Sequence, residues 1–400
     1  MSEPAADPLA SWREEFPILS RTTYMISNSL GAMPRGVAAS LAEYAEVWAT
    51  RGVRGWEDRW WEMALEVGNS VAGILGAPAG TVSMHDNVTT AQMIALSALR
   101  PGGRRRKIVC SAADFPSMIR LYRALTGFGF EVEVVPSEPD LNLREERLAE
   151  AIDEHTLAVA FSHVLFRTSY LVNPRPIVER ARQVGAFTIL DVYQSAGIVP
   201  VDLTALDVDF ATGGCLKWLC GGPGNGFLYT RPDLLRSLEP RYTGWLALAN
   251  PFAFDIEDRA LRHDAMRMMN GTPPIPAFYA AIPGREIVAR VGVGAIREKS
   301  VRMTARLLRL AEERGWRSPT SRDPNRVAGT VAIDMPDALA ASRALKAREV
   351  LVDYRPKVGI RVSPHFYNTT AEIDHLVAEL TDIVTTGAHG AQGAVRSRVT

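Results

Sequence analysis

The chain has 400 residues, 47% of them hydrophobic and 22% charged, which is the balance of a folded protein with a large core and excludes disorder of the whole. Forty-five basic side chains against forty-five acidic ones leave no net field to draw in nucleic acid or an anionic membrane, so specificity is expected in a local site for a small molecule. The three cysteines, Cys110, Cys215 and Cys220, supply neither a disulfide framework nor a four-ligand zinc pattern; they fit a reducing cytoplasm, and no metal is expected.

The N-terminus carries Glu3, Asp7, Arg13, Glu14 and Glu15 without an apolar leader region, and nowhere do eighteen apolar residues run together, so neither export nor a membrane span is expected. Residues 1–50 are read as an N-terminal segment that packs on a small C-terminal domain. From about residue 55 to 230, apolar β-type runs alternate with stretches of helical period, the pattern of a mainly parallel sheet covered on both faces. Strands are predicted at 107–111, 132–135, 157–164, 187–192 and 226–230, and amphipathic helices at 56–75, 90–99, 117–125, 143–152 and 176–184. Residues 51–286 form a large α/β domain in this reading. One long connecting helix is predicted over 287–314, followed by strands at 329–335, 351–353 and 359–363 alternating with helices at 338–347 and 370–385, a small α+β domain over 287–386. The Gly/Ala/Arg/Ser-rich stretch 387–400 reads as a flexible tail.

The chemistry concentrates at Lys217, in Asp209-Phe210-Ala211-Thr212-Gly213-Gly214-Cys215-Leu216-Lys217, a lysine after a predicted strand with small residues on both sides. Such a lysine lies near the carboxyl edge of a parallel sheet, where α/β proteins bind ligands, and an apolar surround lowers its pKa so that the amine can attack an aldehyde. Taken alone it reads better as a solvated lysine beside a Gly-rich turn, because lysines near glycines are common. Asp191 tips the balance. It ends the apolar run Phe187-Thr188-Ile189-Leu190, and a carboxylate at the tip of a strand buried on both faces needs a compensating cation or hydrogen bond. A protonated pyridine nitrogen is such a cation, and holding that proton makes a pyridoxal ring an electron sink. Thr89 and Thr90, after Asn87 at the start of a helix, suit either phosphate binding at the positive helix end or ordinary N-capping. Phe115 suits stacking on a flat heteroaromatic ring or plain core packing. Arg361, in Gly359-Ile360-Arg361-Val362-Ser363, carries a planar fork for a substrate carboxylate or is a surface arginine of an edge strand.

With these residues in place, the sequence resembles the class V aminotransferase superfamily of fold-type I pyridoxal-phosphate enzymes, and within it the kynureninases, from about Tyr24 to Leu380. The resemblance is carried by Asn28-Ser29-Leu30-Gly31, Phe115-Pro116, Ser162-His163-Val164 with Arg167-Thr168, Ser195-Ala196-Gly197 with Val199-Pro200-Val201-Asp202-Leu203, Gly221-Gly222-Pro223-Gly224, Gly244-Trp245 with Pro251-Phe252, and Gly271-Thr272-Pro273-Pro274-Ile275. It implies an α/β fold with a mixed, mainly parallel sheet and a smaller α+β domain, and pyridoxal 5'-phosphate as cofactor. Thr89 and Thr90 would bind its phosphate, Phe115 stack on its ring, Asp191 pair with its pyridinium, Gln194 lie against it and Lys217 carry it as a Schiff base. Arg361 would hold the substrate carboxylate, with Asn28 and Ser29 at the substrate. Residues matching Trp245 and Thr272 approach the cofactor or substrate in the family, the Gly-Thr pair from the neighbouring subunit, which implies a homodimer with shared active sites.

The departures from kynureninases would all lie near the cofactor. Leu216 stands where the family has tyrosine, Met118 where it has aspartate, Gln194 where it has histidine and Leu165 where asparagine is common, while Tyr193 replaces a small residue. Gln194 is what cysteine desulfurases and many other class V members carry. The resemblance implies cleavage of an amino-acid side chain, as Cβ–Cγ hydrolysis or β-elimination. The alternative is transamination or epimerisation, which needs only the same lysine, electron sink and carboxylate anchor. A cysteine desulfurase fits less well, because residues 326–360 contain no cysteine to serve as nucleophile before Arg361. A non-catalytic cofactor-binding regulator would be expected to have lost Lys217 or Asp191, and both are present.

Overall fold

A computed structural model of the protein describes residues 7–387, and the tail expected from 387 lies, beyond its first residue, outside the described residues. The strands are β1 (Thr23–Tyr24), β2 (Val82–His85), β3 (Lys107–Ser111), β4 (Glu131–Val135), β5 (Thr156–Ser162), β6 (Phe187–Asp191), β7 (Phe210–Gly214), β8 (Gly226–Thr230), β9 (Val331–Ile333), β10 (Val350–Leu351), β11 (Asp353–Arg355) and β12 (Gly359–Val362). Among the described residues the largest sheet has seven strands in the order β2-β8-β7-β6-β5-β3-β4. Pairing is parallel from β7 through β4, and β8 runs antiparallel to both β7 and β2. The sheet is therefore mixed and mainly parallel, as expected. Its middle strands, β5 and β7, are buried at every position, as strands covered on both faces must be. β2 adds to the strands predicted at 107–230, and β7 is the strand expected ahead of Lys217.

The strand order sets the site. From β3 the chain moves outward to β4 and then returns to lay β5 on the other side of β3. Crossovers diverge at that point, and the crevice outside the carboxyl ends of β3 and β5 is where an open α/β sheet has room for a ligand. The segments leaving these ends are Ala112–Phe115 and His163–Phe166, and β6 brings Asp191 to the same edge.

Helices cover both faces. The helix Val88–Ala98 starts at Asn87, whose side chain accepts from Thr90 N, so the capping oxygen is the asparagine's and not a threonine's. The helix Trp61–Ile74 lies close on β2 because Gly68 has no side chain: a Cβ there would come within 2.1 Å of Val82 O. The predicted single helix at 287–314 is two helices, Ile275–Val291 and Val293–Glu313, interrupted at Gly292, whose φ of 82° is a left-handed value that glycine adopts without strain. The boundary expected at 286/287 thus falls inside a helix.

Beyond it, β11, β12 and β9 form a three-stranded antiparallel sheet. The predicted strand at 351–353 is resolved into β10 and β11. The helices Ala338–Ala347 and Thr370–Thr386 enclose a separate core with Met303, Leu307, Ile360 and Leu376, and the second helix opens with a Thr369/Glu372 capping box. β1 pairs in parallel with β10, and Ile26 bridges Ser363, so the N-terminal segment is stitched to this part of the chain. Among the described residues no helix is long and apolar enough to cross a membrane.

Candidate active site

A cavity of about 210 Å³ opens at the carboxyl edge of the sheet, in the crevice that the strand order dictates. Asp191 and Lys217 lie in it together with Phe115, Met118, Ser162, Tyr193, Gln194 and Leu216. Asp191 ends β6 and is only 8% exposed, with its Oδ1 accepting from the backbone N–H of Tyr193 at 2.8 Å. Lys217 follows β7 and keeps part of its side chain open to the cavity.

Burial acts on the two charges in opposite senses. It holds the Lys217 amine well below the usual lysine range, an effect that Asp191 opposes and Arg361 and Arg355 reinforce. It lifts the Asp191 carboxyl, against the Tyr193 backbone hydrogen bond and the Lys217 charge. A half-neutral amine is a nucleophile, and a carboxylate short of compensation is a partner for a cation.

The walls are flat and apolar. The Phe115 ring meets that of Phe166 edge to face at 5.1 Å, and Phe115 is 42% exposed, so a ring face is free at the mouth. Gln194 is fixed by two bonds: its Nε2 donates to Asn28 O at 3.0 Å, and its Oε1 accepts from Trp218 Nε1 at 3.1 Å. The Asn28 side chain is buried with both amide atoms lacking a hydrogen-bond partner. Such a group is costly unless something polar joins it. The Asn28 turn is held on the lysine loop by Gly31, whose N–H donates to Leu216 O at 3.0 Å and where a Cβ would stand 2.1 Å from Lys217 O.

The remaining expected residues fall into two groups. Thr90 gives its amide to Asn87 Oδ1 at 3.0 Å and its hydroxyl to the same atom at 3.4 Å, while Thr89 sits beside Val88, which lines the cavity. Arg361, on β12, is buried and forms a two-pronged ion pair with Asp353 on β11, while its Nη1 donates to Phe166 O; three of its five N–H groups are thereby in use. Neither Asn28 nor Ser29 lines the cavity; Asn28 reaches it only through the Gln194 side chain that binds its carbonyl. Trp245 and Thr272 lie outside it. Trp245 packs on Trp61 at 5.6 Å and on Phe252 at 5.6 Å, and Thr272 is exposed on a loop.

One buried residue of the site has no sequence signal. Asp114 accepts from Ser111 N at 2.9 Å and Ser162 N at 2.8 Å, tying the ends of β3 and β5 together beneath Phe115, and burial raises its carboxyl to about 6. Of the departures, Met118, Gln194, Leu216 and Tyr193 line the cavity, whereas Leu165 is core beside it.

Residues 23–376 match the family described as Aminotransferase class-V. The chain belongs to this family. It is 30% identical over 413 residues to a kynureninase of Burkholderia pseudomallei (strain 1106a), covering 98% of this chain and 97% of that one. An uncharacterized aminotransferase, YcbU, of Bacillus subtilis (strain 168) is 29% identical over 373 residues, 92% of this chain and 96% of its own. Among solved structures, the cystine C–S lyase C-DES superposes with a TM-score of 0.82 at 23% identity over 92% of this chain and 99% of that one. A cysteine desulfurase from Thermococcus onnurineus NA1 gives a TM-score of 0.82 at 21% identity, covering 94% and 97%. These two likenesses show a shared fold.

As a class V enzyme the protein uses pyridoxal 5'-phosphate. The residues present fit that group: a buried amine of lowered basicity, a buried carboxylate awaiting a cation and a free aromatic face border the same crevice, and Gln194, which also lines it, holds the backbone of Asn28 with its orphaned buried amide.

Proposed function

We propose that this class V enzyme cleaves the side chain of an α-amino acid in the manner of kynureninases, by Cβ–Cγ hydrolysis or β-elimination. The observation that carries the proposal is the Lys217–Asp191 pair in a cavity of about 210 Å³, in a chain similar to kynureninases over 98% of its length. Bound pyridoxal phosphate supplies the electron sink for a carbanion at the α-carbon. Lys217 would hold the cofactor and, once freed, move protons between neighbouring carbons with its amine. Asp191 would keep a proton on the ring nitrogen, Phe115 cover the ring, and Thr89 with the first amides of its helix meet the phosphate. Asn28 would meet the substrate with its unpartnered amide, with Ser29 beside it, while Gln194 keeps Asn28 in place. Arg361 would offer its remaining N–H groups to the substrate carboxylate.

Leu216 cannot donate a proton and Met118 cannot ionise, so the pocket is more apolar than that of the family pattern, and L-kynurenine itself need not be the substrate. The three cysteines are buried, and burial raises every thiol, to about 12 for Cys110 and about 11 for Cys215. None is placed as a thiolate nucleophile, which disfavours a desulfurase. Transamination or epimerisation is the second reading, favoured by the likeness to YcbU and by the absence of a hydroxyl at Leu216.

We also propose a homodimer in which Thr272 serves the partner's cavity and Trp245 approaches a cofactor, with residues 51–286 as the cofactor domain and 287–386 as the small domain. Support comes from the exposure of Thr272 and from Phe252 and Phe254, exposed rings that pack beside Trp245. The test of the reaction mixes cofactor-loaded protein with an amino-acid panel that includes L-kynurenine and 3-hydroxykynurenine, with products read by mass spectrometry. Alanine plus a released fragment is expected. A keto acid accompanied by pyridoxamine phosphate would establish transamination instead.

A further inference from the structure

Tyr193 has no place in the functions so far assigned, yet the reactive amine lies over its ring. Lys217 Nζ lies 4.4 Å from the Tyr193 ring centroid. The ring leaves the chain from the same turn as Asp191, because the Tyr193 N–H donates to Asp191 Oδ1 at 2.8 Å. Its far end fits against Gly214, where a Cβ would stand 2.8 Å from Tyr193 Cζ and Oη. Gly214 ends β7 immediately before the lysine loop, so the glycine opens a notch and the tyrosine fills it.

The chemistry of the ring narrows its role. Burial raises the phenol well above its ordinary range, with Cys215 and Asp191 adding to the effect, so the hydroxyl stays protonated and is no base. What faces the amine is the electron-rich ring surface, which attracts a cation. The other charges acting on that amine are Asp191 at the end of β6, Arg361 on β12, and Arg355 and Asp353 on β11.

We propose that Tyr193 is a positioning residue for Lys217: seated in the Gly214 notch, its ring is the rest on which the amine lies, holding the nitrogen beside Asp191 and favouring its cationic form. The inference depends on Lys217 carrying the cofactor.

The experiment follows the visible absorbance of cofactor-loaded protein against pH in wild type and in Tyr193→Phe, Tyr193→Leu, Gly214→Ala and the Gly214→Ala/Tyr193→Leu double variant. Tyr193→Phe keeps the ring and is expected to keep the midpoint. Tyr193→Leu removes the π face and is expected to lower the midpoint by about half to one unit, roughly three- to tenfold in the proton equilibrium. Gly214→Ala, which displaces the ring without altering it, is expected to move the midpoint the same way and gives an independent route if the leucine variant folds poorly. In the double variant the two effects should not add, because both remove one contact. An unchanged or raised midpoint in Tyr193→Leu and Gly214→Ala overturns the proposal, as does a shift in Tyr193→Phe equal to that in Tyr193→Leu. A wild-type protein with no visible band after cofactor loading would instead overturn the role of Lys217.

Discussion

Burial lowers the basicity of Lys217 and raises the carboxyl of Asp191, so each is left in want of a partner that would restore its charge or use its neutrality. A protonated pyridine ring bound through an aldehyde meets both needs at once. Lys217→Ala is therefore expected to abolish the visible absorbance and all turnover, and a variant still turning over substrate would remove the central claim. Asp191→Ala should leave a coloured protein that loses cofactor on dialysis at least about tenfold faster than wild type, since a buried ring nitrogen without its counter-ion loses more than about 1.4 kcal/mol of binding; equal retention would mean that another group holds the nitrogen. Asp191 stood out in the sequence because a charged side chain at the tip of an apolar strand has few explanations, and Lys217 stood out only beside it. Asp114 was not. Ala112-Ala113-Asp114-Phe115 reads as an ordinary turn, and the worth of that carboxylate depends on β3 and β5 lying side by side, which no local pattern shows. Arg361 was expected to hold a substrate carboxylate, and in the fold its fork meets an internal one, Asp353, brought from the neighbouring strand by the hairpin register Asp353↔Arg361.

At the level of elements, alternation of apolar runs with helical periods was enough to locate most of the sheet, while breaks that leave the period intact were invisible. Val291-Gly292-Val293-Gly294 continues an apolar stripe in the sequence, and only the left-handed φ of 82° at Gly292 separates the two helices. The role of Gly31 was likewise hidden. It stood out as part of a motif, but its reason is contact between segments far apart in the chain: its backbone runs so close to the lysine loop that a Cβ would come within 2.1 Å of Lys217 O. Gly31→Ala is accordingly expected to force the Asn28 turn away from the loop and to cost about 1–3 kcal/mol, as other overpacked sites do. The measurements are a denaturation midpoint and the dialysis half-life of the cofactor. Wild-type values in both would show that the N-terminal segment does not hold the lysine loop in place.

Over the whole molecule, buried titratable groups set the acid limit of the fold. His85, His163 and His365 are buried and their imidazoles are pushed down to about 3, 4 and 3, so the folded protein keeps them neutral. A base whose folded pKa is depressed contributes stability that is complete above its unfolded value of 6.5 and is lost as pH falls toward the folded value, at up to about 1.4 kcal/mol per unit for each group. Asp114, Asp191 and Asp209 act in the opposite direction, because burial raises their carboxyls and the fold takes up their protons before the unfolded chain does. Above pH 6 the three histidines outweigh the partly protonated carboxyls, so chemical denaturation midpoints are expected to fall first between pH 6.5 and 6 and to fall less steeply as the carboxyls take up the rest of their protons. Stability that rises on acidification through this window would contradict the assignment of these histidines as buried neutral bases.

The placement of Thr272 outside its own chain's cavity leads to a prediction about assembly that the sequence could state only through resemblance, since an interface is a property of two surfaces. If Thr272 completes the partner's site, damage to it and damage to Lys217 fall on different sites of a mixed dimer. A Lys217→Ala subunit still lends its Thr272 to the neighbouring site, and a Thr272→Glu subunit still holds its own Lys217, so one of the two sites in the hybrid is intact. Two preparations, each inactive alone, should on unfolding and refolding together recover about a quarter of wild-type turnover, since half the dimers are hybrids with one working site. Recovery confined to samples allowed to exchange subunits supports the shared site, because both changes are then complemented across the interface. A Thr272→Glu protein that is fully active by itself, or a mixture that stays inactive although hybrids are present by native mass spectrometry, would place Thr272 away from catalysis and return the exposed loop to a structural role.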